Sequence, residues 1–376
     1  MKPVTCVTKG NALMINVQPY GGGLWHTWFD RDLGLAGRVI VRTEDESITT
    51  KLFSITEPIA RIPNLAIHLT SGSERESFAP NLHEHGKALL SINPNFLETK
   101  ATSEEEHVTG RIHPALLRLV AEAAGVSSKD IVDVEMQLID LQPATIGGAC
   151  KELIFGGRLD NLCSSYQSLS ALIESSTHPL EHVSNVKVCM LFDHEEIGSA
   201  SAQGAASSIF MDTIQRIHSK LIAPYTSESL MRALRRSFIV SADMAHALHP
   251  NYPQKHDASM APALNKGLVI KHNANQRYAT NAISASVFRK LATKAKEPIG
   301  MQEFTVRADA SCGSTVGPIL ATLTGILTVD CGTPQLSMHS IREMMGTEDV
   351  RTGVLHFTSV LDHHPSMAKD LDSTRL

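Results

Sequence analysis

Four ionisable side chains occur together in the segment DHEEIGS, which begins at Asp193 and directly follows the apolar run VKVCMLF. Two of them, Glu195 and Glu196, are adjacent. Neighbours in a regular strand point to opposite faces, but where the chain turns at a strand end both can reach one cavity. One carboxylate can then bind a metal while the other stays free as a general base beside a metal-bound water. Taken alone, the pair is also compatible with a solvated turn.

Further charged and imidazole side chains follow other apolar runs. Asp160 follows ELIFGGRL, Asp243 ends SFIVSAD, Lys271 ends LVIK, and His339 follows ILTVDCGTPQLSM. Open α/β sheets place ligand sites at the carboxyl ends of their strands, so we expect these side chains to meet at one edge. Carboxylates that converge without a cation raise one another's pKa, and two bridged divalent metals remove that conflict. Each aspartate taken singly is more simply a helix cap or turn residue, and His339 alone is more simply a residue at a helix start.

The elements that would position these residues lie in the second part of the chain, 151–376. Helical patterns alternate there with short apolar runs. The predicted helices are Asn161–Ser175, Ser201–Leu221, Ala282–Lys296, Gly317–Leu323 and a helix from Met338 onward, and the predicted strands are VKVCMLF, SFIVSAD, LVIK, FTVRAD and ILTVD. This alternation predicts an α/β fold with a mostly parallel sheet and helices on both faces.

The first part, residues 1–150, has a different pattern. The runs NALMINVQ, LAGRVIVR, SITTKLFSI and DIVDVEMQLID predict strands, and His113–Ala124 predicts a helix. We therefore expect two domains, one strand-rich at 1–150 and one α/β at 151–376.

Composition limits the class of protein. The 376 residues carry a formal net charge of -5, which gives no sign of a nucleic-acid binder. No apolar run reaches the length of a membrane span, and MKPVTCVTKG has no apolar signal-peptide core. The six cysteines are scattered without a C-x-x-C pair. This usage favours a reducing compartment, so the expected location is the cytoplasm.

Several longer motifs occur in one order along nearly the whole chain: YGGGLWHTWFDRDLGLAGRV, IPNLAIHL, RLDNL, DHEEIGS, SADMAHALHPNY, QRYATNA and SMHSIREM. In this respect the sequence resembles the aspartyl aminopeptidases, a family of dizinc exopeptidases. The resemblance implies a zinc exopeptidase fold. It also implies a metallo-aminopeptidase that releases N-terminal Asp and Glu from peptides, by metal-activated water with a glutamate general base.

The same resemblance assigns roles to the clustered residues. It implies that Asp160 bridges two Zn²⁺ ions, that Glu196 and His339 bind one of them, and that Asp243 binds the other. Glu195 would be the general base.

The resemblance further implies a substrate pocket and an assembly. His246, Lys271 and Tyr278 match residues that line the pocket, with Lys271 as the partner of an acidic substrate side chain. His68 matches a histidine that reaches a neighbouring subunit's site. The family forms tetrahedral dodecamers of dimers, so residues 1–150 are expected to be an inserted, barrel-like dimerisation domain.

One family feature has no match in this sequence. The H-T-D-S-P segment, whose His binds one zinc and whose Asp orients that His, is absent from the 376 residues. We therefore expect one zinc site to be weakened, and this chain alone to be poorly soluble and weakly active or inactive. A preceding segment could also carry a targeting signal. The alternative function is a truncated, catalytically defective chain, or a non-catalytic subunit that co-assembles with complete subunits.

A third hypothesis concerns the aromatic segment YGGGLWHTWFDRD, which contains Trp25 and Trp28. An exposed aromatic patch there would bind a partner. An intersubunit or interdomain core is the favoured interpretation of the two rings.

Overall fold

The computed structural model describes residues 1–177, 183 and 185–371. The chain divides into two compact units, Met1–Pro143 and Ala144–Leu376. The role of the first unit in dimerisation stays a prediction.

The first unit contains two antiparallel sheets of three strands each, in the orders β1-β2-β5 and β4-β3-β6. Its strands are β1 Cys6–Lys9, β2 Ala12–Ile15, β3 Leu33–Arg42, β4 Ile48–Ala60, β5 Ala88–Ser91 and β6 Ile131–Asp140. Its helices are α1 Gly72–Glu76, α2 Leu82–His85, α3 Pro94–Leu97, α4 Glu106–Thr109 and α5 Pro114–Ala124. The predicted strands are confirmed as β2, β3, β4 and β6, and the predicted helix as α5.

Helix α5 shows why these predictions hold. Pro114 occupies the first turn, where a missing N–H costs nothing. Gly125 ends the helix with a left-handed φ of 62°. The residues between them bury one face, which includes Leu116, Leu117 and Val120.

The second unit contains a four-stranded sheet of order β12-β11-β13-β9 and a five-stranded sheet of order β10-β14-β15-β8-β7. Its strands are β7 Thr145–Gly147, β8 Leu153–Gly156, β9 Phe238–Ala242, β10 Ala245–His246, β11 Leu268–His272, β12 Met301–Thr305, β13 Leu327–Gly332, β14 Pro334–Leu336 and β15 Glu343–Gly346. Its helices are α6 Leu159–Ser175, α7 Ile209–Leu221, α8 Ser227–Arg236, α9 Ala282–Ala292, α10 Val316–Thr324 and α11 Thr347–Leu371.

The four-stranded sheet confirms the predicted α/β class. Its β11–β12 and β13–β9 pairings are parallel, and the β11–β13 pairing is antiparallel. Alternate residues of β9 face opposite layers of helices. Phe238 and Val240 contact a core shared with α9 and α11, whereas Ile239 contacts a core shared with α7, α8 and α10. Helices thus cover both faces.

Two strands of the four-stranded sheet continue directly into strands of the five-stranded sheet. Strand β9 continues into β10, and β13 continues into β14. Between them, the Asp243 N–H donates to the Cys331 carbonyl at 2.9 Å and the Ala245 N–H donates to the Thr333 carbonyl at 2.8 Å. The five-stranded sheet is mostly antiparallel. Asp243 therefore lies at the junction of the two sheets.

Two predicted elements are wrong. The run VKVCMLF, residues 186–192, forms no strand, because within the described part of the chain it has no paired neighbour. The helix predicted from Met338 begins only at Thr347, since β15 intervenes and pairs with β8 and β14. Apolar residues alone do not distinguish a paired strand from an extended segment.

Helix boundaries also differ from prediction. The helix predicted from Ser201 begins at Ile209, after a series of turns, and the helix predicted to reach Lys296 ends at Ala292. Gly204 and the serines at 201, 207 and 208 favour turns over helix, which explains the late start despite the alanines between them.

No helix in the described ranges is long and apolar enough to cross a bilayer. Apolar side chains are nevertheless exposed along one face of α6, namely Leu162, Tyr166, Leu169 and Ile173.

A buried carboxylate, Glu105, is paired with the partly exposed Arg118 in the first unit. The Glu105 carboxylate is almost fully buried and accepts hydrogen bonds from the Arg118 guanidinium at 2.9 Å and 3.1 Å. It also accepts from the Ser128 hydroxyl at 2.7 Å and the Thr102 N–H at 2.9 Å. The bonds from Arg118 are the main reason that the pKa of Glu105 falls to about 2.

We predict that Glu105→Gln destabilises the first unit by about 2 kcal/mol near neutral pH, because hydrogen bonds to charged groups contribute about 1.5–3 kcal/mol. The folded state lowers the pKa of Glu105, so its stabilisation is present above the unfolded pKa of 4.5 and is lost as pH falls toward about 2. Thermal unfolding of both proteins over this pH range measures the difference.

Glu104→Gln is the matched control. Glu104 is also a paired glutamate, with its Oε1 atom 4.0 Å from Lys129 Nζ, but its side chain is exposed. Its stability should stay close to that of the parent protein. A Glu105→Gln difference that stays constant with pH would contradict the role of the charge.

Candidate metal centre

Three predicted ligands converge in the second unit. Ligand atoms of Asp160, Glu196 and His339 all lie within 4.8 Å of one another. The His339 Nε2 atom is 3.4 Å from Asp160 Oδ2 and 3.3 Å from Glu196 Oε2. One imidazole and two carboxylates form a donor set of the kind that holds a catalytic zinc. The residues present therefore fit the metal that the sequence predicts.

Asp160 reaches this point because α6 begins irregularly. Arg158, just before the helix, has a left-handed φ of 59°. Asp160 itself has an extended ψ of 107° although it lies in the first turn. The next residue, Asn161, donates through Nδ2 to the Ala242 carbonyl at 2.7 Å. This bond ties the start of α6 to the end of β9, beside Asp243.

Glu195 and Glu196 lie in a 3-10 helix, Glu195–Ile197, and not at the end of a paired strand. Left-handed backbone brackets this turn, with φ 58° at His194 and φ 98° at Gly198. A 3-10 helix has about three residues per turn, so adjacent side chains point in directions about 120° apart. The side chains of the two glutamates therefore point in different directions, as the sequence predicts. The structure that separates them is a 3-10 helix and not a turn at a strand end.

The segment after the glutamates approaches its own backbone closely. A Cβ atom on Gly204 would lie 2.1 Å from the Ser199 carbonyl oxygen. The turn series that holds Glu195 and Glu196 therefore requires glycine at this position.

Asp243 and Lys271 form a second pair at the sheet junction. The Lys271 Nζ atom lies 3.3 Å from Asp243 Oδ2, and Lys271 is 2% exposed. The same ammonium lies 5.3 Å from the centre of the Tyr278 ring. The Cys312 thiol donates to the Tyr278 hydroxyl at 3.3 Å. Sequence reasoning did not single out Cys312.

The pKa values of the carboxylates in this centre are shifted from their usual range. Burial, then the charges of Glu196 and Asp160, raise the pKa of Glu195 to about 7. Burial, with the charge of Asp160, also raises the pKa of Glu196. Burial raises the pKa of Asp243 despite the opposing charge of Lys271. Burial acts in the same sense on Asp160, but hydrogen bonds from His339 and Asp243 outweigh it, so the pKa of Asp160 is lowered.

Of the other two predicted substrate residues, His246 is close enough to the centre to interact electrostatically with Lys271, Asp160 and His339. His246 is exposed on β10, packs edge-on against Phe304 with ring centres 5.7 Å apart, and lines a cavity of about 320 Å³. Lys255 and His256 line the same cavity. His68 lies in the first unit, on an exposed 3-10 helix, Ile67–Leu69.

One buried carboxylate beside the centre carried no assigned role in the sequence. Glu343 accepts hydrogen bonds from the backbone N–H groups of both Asp160 and His339. Burial raises its pKa to about 7. The motif SMHSIREM contains this residue, but its spacing from His339 gives no signal of the contact with Asp160.

Comparisons with known proteins agree with this geometry. The family model described as Aminopeptidase I zinc metalloprotease (M18) matches residues 1–360. The probable aspartyl aminopeptidase of Ricinus communis is 48% identical over 385 residues, which cover 96% of this chain and 78% of that protein.

Solved structures are similar as well. A chain in the cryo-EM structure of the Ape4 and Nbr1 complex has a TM-score of 0.89 and 40% identity, with 98% of this chain and 70% of that chain covered. The mApe1 dodecamer of Saccharomyces cerevisiae has a TM-score of 0.84 and 30% identity, with 98% and 78% covered.

We predict that His339→Asn weakens zinc binding by more than about 100-fold, because it removes the only imidazole of the converging set. Loss of a residue that only hydrogen-bonds to a metal ligand typically weakens binding by about 10–100-fold, and loss of a ligand itself should have a larger effect. Competition with a fluorescent zinc chelator measures the affinity.

His272→Asn is the matched control. His272 is also partly exposed and also faces a carboxylate, Glu303, at 2.9 Å, but it is not a member of the converging set. Equal zinc affinity in the His339 variant and the parent protein would exclude His339 as a ligand.

Proposed function

We propose that this chain, which belongs to the aminopeptidase I zinc metalloprotease (M18) family, is a zinc aminopeptidase that releases acidic residues from the N-termini of peptides. The observation that carries the proposal is the convergence of Asp160, Glu196 and His339 within 4.8 Å. Glu195 lies directly before Glu196 in the same short turn.

The residues that would hold zinc follow from this convergence. Asp160, Glu196 and His339 would hold one ion, and Asp243, whose carboxylate interacts with that of Asp160, would join Asp160 in holding a second. When bound, zinc polarises a carbonyl group and makes water more acidic.

Glu195 is the proposed general base because it lies beside the donor set without belonging to it. Burial and its acidic neighbours raise its pKa to about 7, and a base is most effective when its pKa is near the working pH. Glu195 would take the proton from the attacking water and return it to the leaving amine.

Tyr278 is the proposed donor to the carbonyl oxygen during attack. Its hydroxyl accepts from the Cys312 thiol, so its own O–H remains available to donate. A donor fixed before the reaction stabilises developing negative charge without reorganisation.

Lys271 is the proposed determinant of acidic specificity. Its ammonium is buried and positioned by Asp243 and the Tyr278 ring. A buried cation at the site attracts a carboxylate side chain and disfavours an apolar one. The name of the Ricinus communis relative, an aspartyl aminopeptidase, supports the same preference.

Self-association is proposed on the same basis. One similar structure is described as a dodecamer. We propose that residues 1–150 form the dimerisation domain and that His68 contributes to a neighbouring site. A cytoplasmic location is also proposed, and the unpaired state of the six cysteines is compatible with it.

We predict that Glu195→Gln keeps its zinc but loses about 10²–10⁴-fold in kcat, the usual contribution of general acid–base catalysis. Glutamine has the same shape but cannot accept the proton. Hydrolysis of an aspartyl p-nitroanilide and the zinc content per chain are measured on one preparation.

Glu196→Gln is the adjacent control and should lose zinc as well as activity. A near-normal rate in the Glu195 variant would remove Glu195 as the base.

We predict that Lys271→Met lowers the preference for aspartyl over alanyl p-nitroanilide by about 30-fold or more, since an unpaired buried charge costs about 2–5 kcal/mol and each 1.4 kcal/mol is a factor of about ten. The ratio of the two kcat/KM values is the measurement. Lys266→Met, at an exposed position just before β11, should leave the ratio unchanged. An unchanged ratio in the Lys271 variant would show that specificity arises elsewhere.

A further inference from the structure

Glu343 is a buried carboxylate that contacts the backbone of two zinc ligands at once. It is the first residue of β15 and is 3% exposed. Its Oε2 atom accepts from the Asp160 N–H at 3.0 Å, and its Oε1 atom accepts from the His339 N–H at 2.8 Å. Each oxygen thus serves a different ligand segment.

The two segments are far apart in sequence. Asp160 starts α6 after β8, and His339 follows β14. Strand β15 lies between β8 and β14 in the five-stranded sheet. A residue at the start of β15 is therefore the natural link between segments that follow its two neighbouring strands.

The backbone of His339 needs such support. Its φ of 66° is left-handed, a conformation that costs a non-glycine residue free energy unless its surroundings hold it. The Glu343 Oε1 atom provides this support, because it accepts a hydrogen bond from the His339 N–H.

We propose that Glu343 is a positioning residue, which fixes the spacing of the Asp160 and His339 backbones so that their side chains converge with Glu196 on zinc. The inference rests on the proposed function, because it concerns the same metal centre. Outer partners that orient metal ligands typically change metal affinity by about 10–100-fold when they are removed.

Glu343→Gln is the sharpest variant. Glutamine has nearly the same size, but it replaces one acceptor oxygen with an NH₂ group, which cannot accept from a backbone N–H. One of the two ligand segments therefore loses its bond. Glu343→Asp, which keeps both acceptors on a shorter side chain, is the second variant and should show a smaller effect.

Asp349 provides a matched control within the same unit. It is fully buried, and its two oxygens accept from the backbone N–H groups of Asn265 at 2.6 Å and Gly267 at 2.8 Å. It therefore forms a carboxylate bridge of the same chemistry, here between two N–H groups of one loop, 265–267, which carries no proposed zinc ligand. Asp349→Asn reports the effect of losing such a bridge on folding alone.

The experiment measures zinc affinity by chelator competition and the unfolding temperature of the metal-free protein for all four proteins. We expect Glu343→Gln to lower zinc affinity by about 10–100-fold, and Asp349→Asn to leave it within about twofold of the parent, although both lower the unfolding temperature. If Glu343→Gln does not fold, the same comparison is made with Glu343→Asp.

Zinc affinity that is unchanged in the Glu343 variants, or reduced equally in Asp349→Asn, would overturn the inference. Failure of the parent chain itself to bind zinc would instead overturn the proposed function. The two failures are therefore distinguishable.

Discussion

The structure of the second unit depends on one electrostatic constraint, the concentration of carboxylates at the junction of its two sheets. Asp160 influences the pKa values of Glu195, Glu196 and Asp243 there, and Glu195 is also influenced by Glu196. Burial and mutual repulsion favour protonation of three of them, and His339 and Lys271 offset only part of that cost. A cation resolves such a conflict far better than the protein's own positive side chains.

The backbone around this centre is correspondingly irregular. Left-handed residues occur two positions before Asp160, at Arg158, and directly before Glu195, at His194, and His339 is itself left-handed. Such positions cost free energy and persist where the surroundings hold them. Here the surroundings are specific hydrogen bonds, from Asn161 to the end of β9 and from two backbone N–H groups to Glu343. The regular sheets bring the segments close together, and these hydrogen bonds fix the backbone that orients the side chains.

Sequence reasoning succeeded where side-chain type and regular structure coincide. The positions of Asp243 after β9, of Lys271 on β11 and of helices on both faces follow from alternating apolar patterns, which report burial directly. It failed for the strand expected before Glu195, because pairing depends on distant neighbours. The role of Glu343 was out of reach for the same reason: its partner Asp160 is close only after β8, β14 and β15 have paired. Specific roles, such as Glu195 as base, came from the family resemblance and remain proposals.

The most direct test of the account is an anomalous-difference map at the zinc absorption edge from crystals of the zinc-loaded protein. We expect a peak within about 2.0–2.2 Å of a carboxylate oxygen of Asp160, a carboxylate oxygen of Glu196 and a ring nitrogen of His339, the usual zinc bond lengths. A well-occupied zinc that is bound elsewhere, with none at these three residues, would contradict this expectation.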